Sequence, residues 1–230
     1  MSKTTYRQRL SLRALGAMLG YPDAELREAM PAIVAALKAE GVLKPARLAE
    51  LAALGRQLAG MDPFEAEARY VDTFDRGRAT SLHLFEHVHG DSRERGPALV
   101  DLGQTYERAG LVLQGEELPD HLPVVLEYAS TQPDAAAREF LAEMAHILTA
   151  IFSALLQRES PYASVIAGVL ELAGERVQAV PVAPEPEMDE AWAEPPAFDG
   201  CSTRGQARPG APQPIHIVRK NPSTVQGASL

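Results

Sequence analysis

Apolar residues recur along the first three quarters of the chain at the spacing of one helix face. Leu26, Met30, Ile33 and Leu37 form one series. Leu99, Leu102, Tyr106, Ala109 and Leu113 form a second, and Phe140 or Leu141, Met144, Leu148, Ile151 and Leu155 a third. Steps of three and four place such residues in one stripe along an α-helix, where they can be buried together. Strict alternation over a useful length is missing, so no strands are expected in the core. No internal repeat is visible.

The punctuation between the stripes agrees. Asp62-Pro63-Phe64-Glu65 offers an N-cap, a proline at the first helical position and a glutamate at the third. Ser160-Pro161 repeats part of that signal. Gly41, Gly60 and Gly174 stand where helices should stop. Pro31 interrupts the segment from Asp23 to Glu40, either kinking one helix or beginning a second. Helices are predicted near residues 4–19, 23–39, 45–59, 63–75, 97–113, 121–131, 134–158 and 161–173. The expected fold is all-α, a single-domain helical bundle over residues 1–175.

After Gly174 the periodicity disappears, and nine of the 18 prolines lie beyond it. Residues 176–230 therefore read as a proline-rich, largely irregular C-terminal tail that buries too little surface to offset ordering its backbone. Two islands interrupt it. Residues 188–194, with Trp192, suggest a short helix, and Ile215-His216-Ile217-Val218 a short extended segment or a merely sticky stretch.

Composition narrows the function classes. The 230 residues are 46% hydrophobic, with a mean hydropathy of -0.14, enough for a sizeable core. The net charge of -9 repels phosphate backbones, so no nucleic-acid partner is expected. It suits a basic partner such as a cationic peptide, or simply solubility. Cys201 is the lone cysteine, so no internal disulfide can form. No stretch approaches the roughly 20 apolar residues of a membrane helix, and no secretory signal region opens the chain. A cytoplasmic location without membrane insertion is expected.

Chemistry-bearing residues concentrate in Leu82-His83-Leu84-Phe85-Glu86-His87-Val88-His89-Gly90-Asp91-Ser92-Arg93-Glu94-Arg95-Gly96. His83-x-x-Glu86-His87 matches a zinc-hydrolase pattern. On a helix the two histidines would share a face and one zinc ion, with Glu86 activating a water. A third ligand would have to come from Glu159 or Glu171. That reading leaves His89 and the charges of Asp91 to Arg95 unexplained. In the alternative reading, Asp91 caps a following helix, and Arg93 or Arg95 pairs with carboxylates. A second run, Glu116 to Pro123, is similar in style. Asp120 is placed there as an N-cap with His121 exposed beside it, forming either a polar patch or simply a capped helix start. Nucleotide-cradling glycine loops are missing, and Cys201 sits in the tail, a poor place for a nucleophile.

Three segments together resemble a known family. They are Tyr70-Val71-Asp72-Thr73-Phe74-Asp75, Leu84 to Arg93, and Glu117-Leu118-Pro119-Asp120-His121-Leu122-Pro123 with Leu126-Glu127-Tyr128. They resemble, in order, the nitrate reductase delta-subunit (NarJ-type) chaperones, within the wider family of redox-enzyme maturation chaperones. Residues 5–175 carry the likeness, and Asp189 to Pro196 is similar to a weaker tail pattern. The resemblance implies an all-helical, non-enzymatic assembly chaperone. Its partner would be the apo catalytic (molybdenum) subunit of a respiratory nitrate reductase, bound through its N-terminal peptide and kept competent for molybdenum cofactor insertion before membrane docking. No cofactor would be tightly bound and no metal held. Transient contact with the client's molybdenum cofactor, and with cofactor-delivery proteins, would accompany that role. The client-binding candidates are Tyr70, Phe85, Glu86, His87, His89, Asp91, Arg93, Asp120 and His121. Phe85 and Tyr70 would line an apolar wall, although plain core packing explains both equally well. Glu86, Asp91 and Asp120 would meet basic side chains.

Overall fold

The computed structural model describes residues 5–90, 92–115 and 117–181. The suggested helix at 188–194, the segment at 215–218 and Asp91 lie outside these residues. Ten α-helices are present among the described residues. They are α1 (Arg9–Met18), α2 (Ala24–Glu40), α3 (Pro45–Gly60), α4 (Pro63–Phe74), α5 (Leu84–His89), α6 (Arg95–Arg108), α7 (Leu122–Thr131), α8 (Asp134–Glu143), α9 (Ala145–Gln157) and α10 (Ala163–Ala173). A 3₁₀ turn, Arg78–Thr80, precedes α5. No strand is formed among the described residues, and the all-α expectation holds.

α10 lies at the centre. Every residue from Ala163 to Leu170 is buried, as are Leu172 and Ala173. α1, α3, α8 and α9 pack on it, α7 packs on α1, and α2 bridges α1 and α3. The core is aliphatic: Leu12, Leu15, Leu51, Leu126, Leu141, Leu148, Ile151 and Ile166 are all fully enclosed. The approach of α2 to α3 depends on Gly55, where a β-carbon would fall 2.7 Å from Val34 Cγ2.

Local signals set several boundaries. The Asp62 carboxylate accepts from Phe64 N at 3.0 Å and Glu65 N at 3.2 Å, starting α4. Asp23 accepts from Leu26 N at 2.8 Å, starting α2. Gly41 and Gly174 close α2 and α10 in the left-handed conformation. Gly60 is the last residue of α3. α2 runs unbroken through Pro31, which sits on its exposed face.

Other boundaries depart from the pattern. The segment predicted as one helix over 134–158 is two, meeting at Met144 with a 67° bend. The apolar stripe continues across the bend, so α8 and α9 both reach α10 while running in different directions. α1 starts at Arg9 rather than residue 4, because Asp134 draws the preceding backbone away, accepting from Arg7 N at 2.8 Å. Glu40, at the end of α2, then caps α1 by accepting from Leu10 N at 2.9 Å and Ser11 N at 2.6 Å. α6 stops at Arg108, and Gly110 turns the chain with Leu111 N bonded to Tyr106 O. Past α10 the described residues, up to 181, form no regular secondary structure. Val177 packs on the core and Val180 N donates to Ser153 Oγ at 3.0 Å.

Candidate functional site

The two polar runs meet. His83 and His121 face each other in an antiparallel bridge, in which Leu84 N donates to Asp120 O at 3.1 Å and Leu122 N to Leu82 O at 2.9 Å. Their imidazoles stack with centroids 5.1 Å apart. This bridge ties the start of α5 to the start of α7, 38 residues apart in sequence.

Asp120 lies inside the junction, fully buried. It does not cap its own helix, whose N-cap is His121. Its Oδ2 accepts from Phe85 N at 3.0 Å, and its Oδ1 lies 3.4 Å from His83 Nδ1. The backbone bridge turns the carboxylate toward α5 and away from α7. Burial alone would raise the Asp120 carboxyl pKa, but the hydrogen bonds from His83 and Phe85 outweigh it and hold it low. His83 is raised, mainly by the same carboxylate. His121 is not exposed as its place beside a cap suggested. It is largely enclosed, burial lowers its pKa, and its Nδ1 is 3.0 Å from Glu117 Oε2. The two stacked imidazoles are therefore shifted in opposite directions, His83 up by its carboxylate partner and His121 down by burial.

Around this junction the other candidates divide into two groups. Glu86 is presented at the surface of α5. Its Oε2 accepts from Ser81 Oγ at 2.6 Å and its Oε1 from Arg95 at 3.1 Å. His87 Nε2 donates to Ser81 O at 2.9 Å. His89 sits edge-on to the half-buried Phe85 ring, with centroids 5.7 Å apart. Val88 between them is exposed, and so is Arg93. Tyr70, in contrast, is buried. Its hydroxyl donates to Leu19 O at 2.8 Å, and its ring packs with Tyr21, Phe74 and Tyr162. Burial pushes its pKa up.

The H-x-x-E-H spacing does not put two histidines on one helix face. His83 has extended backbone and precedes α5. His83 turns to Asp120 and His87 to Ser81, so the two rings serve different partners. Among the described residues no group of three or more His, Cys, Asp or Glu is placed to hold a metal ion.

The expected pairing of Arg95 with a carboxylate is met by Glu86, whereas sequence reasoning missed Ser81 and the role of Tyr106. The Tyr106 hydroxyl donates to Pro119 O at 2.8 Å and its ring lies against Tyr128. Tyr106 belongs to an apolar stripe, so its spacing announced burial but not the polar end that fixes the 117–121 segment. Among the described residues no single helix is long and apolar enough to cross a membrane.

Comparison with known proteins agrees with this architecture. A family described as nitrate reductase delta subunit matches residues 22–167. The chain is 44% identical over 182 residues to the nitrate reductase molybdenum cofactor assembly chaperone NarJ of Escherichia coli K12, covering 79% of this chain and 77% of that protein. It is 40% identical over 163 residues to the probable assembly chaperone NarW of the same strain, covering 71% and 68%. It is 33% identical over 163 residues to the probable NarJ chaperone of Bacillus subtilis 168, covering 71% and 87%. In fold, it matches the crystal structure of a putative redox enzyme maturation protein from Archaeoglobus fulgidus. There the TM-score is 0.51 at 18% identity, over 73% of this chain and 94% of that one. The chain belongs to the nitrate reductase delta-subunit family, a family of assembly chaperones and not of enzymes.

Proposed function

We propose that this protein is the assembly chaperone of a respiratory nitrate reductase. It binds the N-terminal segment of the apo catalytic subunit in the cytoplasm and holds that subunit competent for molybdenum cofactor insertion, before docking to the membrane. It keeps no cofactor of its own. Contact with the client's cofactor, and with cofactor-delivery proteins, is transient.

The observation that carries this reading is that the family match, residues 22–167, contains the whole junction between α5 and the 117–121 segment. The chemistry of that junction supports it. Phe85, Val88 and His89 offer apolar and aromatic contact, and Glu86 offers a carboxylate to a basic side chain. Arg93, exposed beyond α5, extends the polar rim, and Asp91 is carried as a client-binding candidate from the sequence alone. Asp120 and His121, which are largely enclosed, serve the same surface by holding its elements in place rather than by touching the client, and the buried Tyr70 serves by packing α4 against Tyr21 and Tyr162. An amphipathic peptide would lay its apolar face on such a surface and be steered by its cations toward a chain of net charge -9.

Calorimetry with a synthetic N-terminal segment of the catalytic subunit tests the reading. Binding is expected, with scrambling of the segment abolishing it. Raising the salt should weaken the affinity without eliminating it, because apolar burial is not screened. Equal binding of the native and scrambled segments would refute the proposal.

A further inference from the structure

Arg95 stands where local physics disfavours it. It is the first residue of α6, a helix with no acidic residue in its first turn and no side-chain cap. A cation there opposes the positive end of the helix dipole. What holds it is tertiary: one guanidinium nitrogen lies 3.1 Å from Glu86 Oε1, across nine residues. The contact uses a single nitrogen and is not the two-pronged fork that makes arginine–carboxylate pairs strong. The Arg95 Nε is buried and has no acceptor.

Glu86 does not depend on Arg95 for its position. Ser81 Oγ holds its other oxygen at 2.6 Å, and Ser81 is itself fixed, its carbonyl accepting from His87. The carboxylate would therefore stay presented if the guanidinium left. It is about one-third exposed, on the same short helix as the exposed Val88 and the half-buried Phe85.

We infer that Glu86 is the subsite that takes a guanidinium or ammonium group of the client peptide, and that Arg95 is its intramolecular placeholder, displaced when the client binds. This rests on the proposed client-binding role and adds a regulatory element to it. Exchange of one cation for another keeps Glu86 neutralised in both states. The free chaperone is thereby spared an unpaired carboxylate on α5, and a segment lacking a cation is disfavoured.

The test is calorimetry on the full chain with two peptides: the N-terminal segment of the catalytic subunit, and the same segment with every Lys and Arg replaced by Gln. The Arg95→Gln protein should bind the basic segment roughly two- to fivefold more tightly than the wild type, the range expected for releasing a partly exposed ion pair. It should bind the neutralised segment no better than the wild type. Arg95→Lys, which keeps a cation but loses the planar group, should fall between and serves if the glutamine variant does not fold. Adding Glu86→Gln to either variant should erase the gain. Unchanged or weaker binding of the basic segment by both Arg95 variants would overturn the placeholder role while leaving client binding intact. Failure of every protein, the wild type included, to bind the basic segment would overturn the client-binding role itself.

Discussion

The carboxylate of Asp120 accepts a hydrogen bond from the backbone N–H of Phe85 at 3.0 Å, across 35 residues of sequence. A buried acid at the foot of α7 thus satisfies an orphan donor at the start of α5. The same carboxylate meets His83, and its own carbonyl accepts from Leu84 N. This side chain, together with the backbone bridge beside it, positions the surface presented by α5.

Asp120→Ala should therefore destabilise the protein by about 2–4 kcal/mol, since it leaves the Phe85 N–H and the His83 ring without their acceptor in a buried place. Asp120→Asn keeps an acceptor for Phe85 but loses the charge, and about 1–2 kcal/mol is expected. Thermal melts followed by far-ultraviolet circular dichroism measure both. A melting temperature for Asp120→Ala equal to that of the wild type would contradict the remote-cap role.

The stacked histidines should titrate apart. His83 is raised by Asp120, so its contribution to stability is complete below the ordinary histidine pKa of about 6.5 and is lost as pH rises through its folded value. His121 is lowered by burial, so its contribution is present above about 6.5 and lost as pH falls through its folded value. Asp120 is held low, and its contribution is lost only in stronger acid. Stability should be greatest near neutral pH and fall on both sides. Imidazole proton resonances should show His83 titrating above His121, and the reverse order would disprove the assignment.

Metal removal should change nothing in the fold. His83 and His87 serve separate partners, so a chelator should leave the melting temperature unaltered and metal analysis of the purified protein should find no stoichiometric zinc. Unfolding on chelation would show a metal site that these side chains do not form.

Truncation should separate the helical core from the residues C-terminal to it. The core runs from Leu12 to Ala173, so deleting residues 182–230 should leave a cooperative melt. Deleting from residue 176 onward also removes Val177 from the core and the Val180 bond to Ser153. A further loss of about 1–2 kcal/mol is expected. Loss of cooperativity in the longer product would show that residues beyond 181 belong to the fold.

Filling the α2–α3 contact should be costly. A leucine at Gly55 would drive its side chain into Val34, and overpacking of this kind typically costs about 1–3 kcal/mol. Chemical denaturation of Gly55→Leu against the wild type measures it, and an unchanged midpoint would show that the two helices can separate freely.

What the sequence determined by itself is what depends on neighbours a few residues away. The spacing of Leu26, Met30, Ile33 and Leu37 dictates a helix because residues three and four apart share a face. Asp62 caps α4 because its carboxylate reaches only the next turn, and Gly41 and Gly174 end their helices because a left-handed residue suits glycine. The family was legible too, since Leu84 to Arg93 and Glu117 to Pro123 stand in the chain as continuous runs. Tertiary structure alone decided the rest. The stripe through Met144 is unbroken, yet the chain bends 67° there, because both halves must reach α10 and nothing in a one-dimensional pattern records that direction. Asp120 looked like the cap of its own helix, because an acid before Leu122-Pro123 is what a local cap requires. Only the bridge between His83 and His121 turns its carboxylate to α5 instead. Glu40 on α1 and Asp134 on Arg7 are pairings of the same kind. Each joins groups whose separation is fixed by how helices pack, and spacing along the chain carries no trace of it.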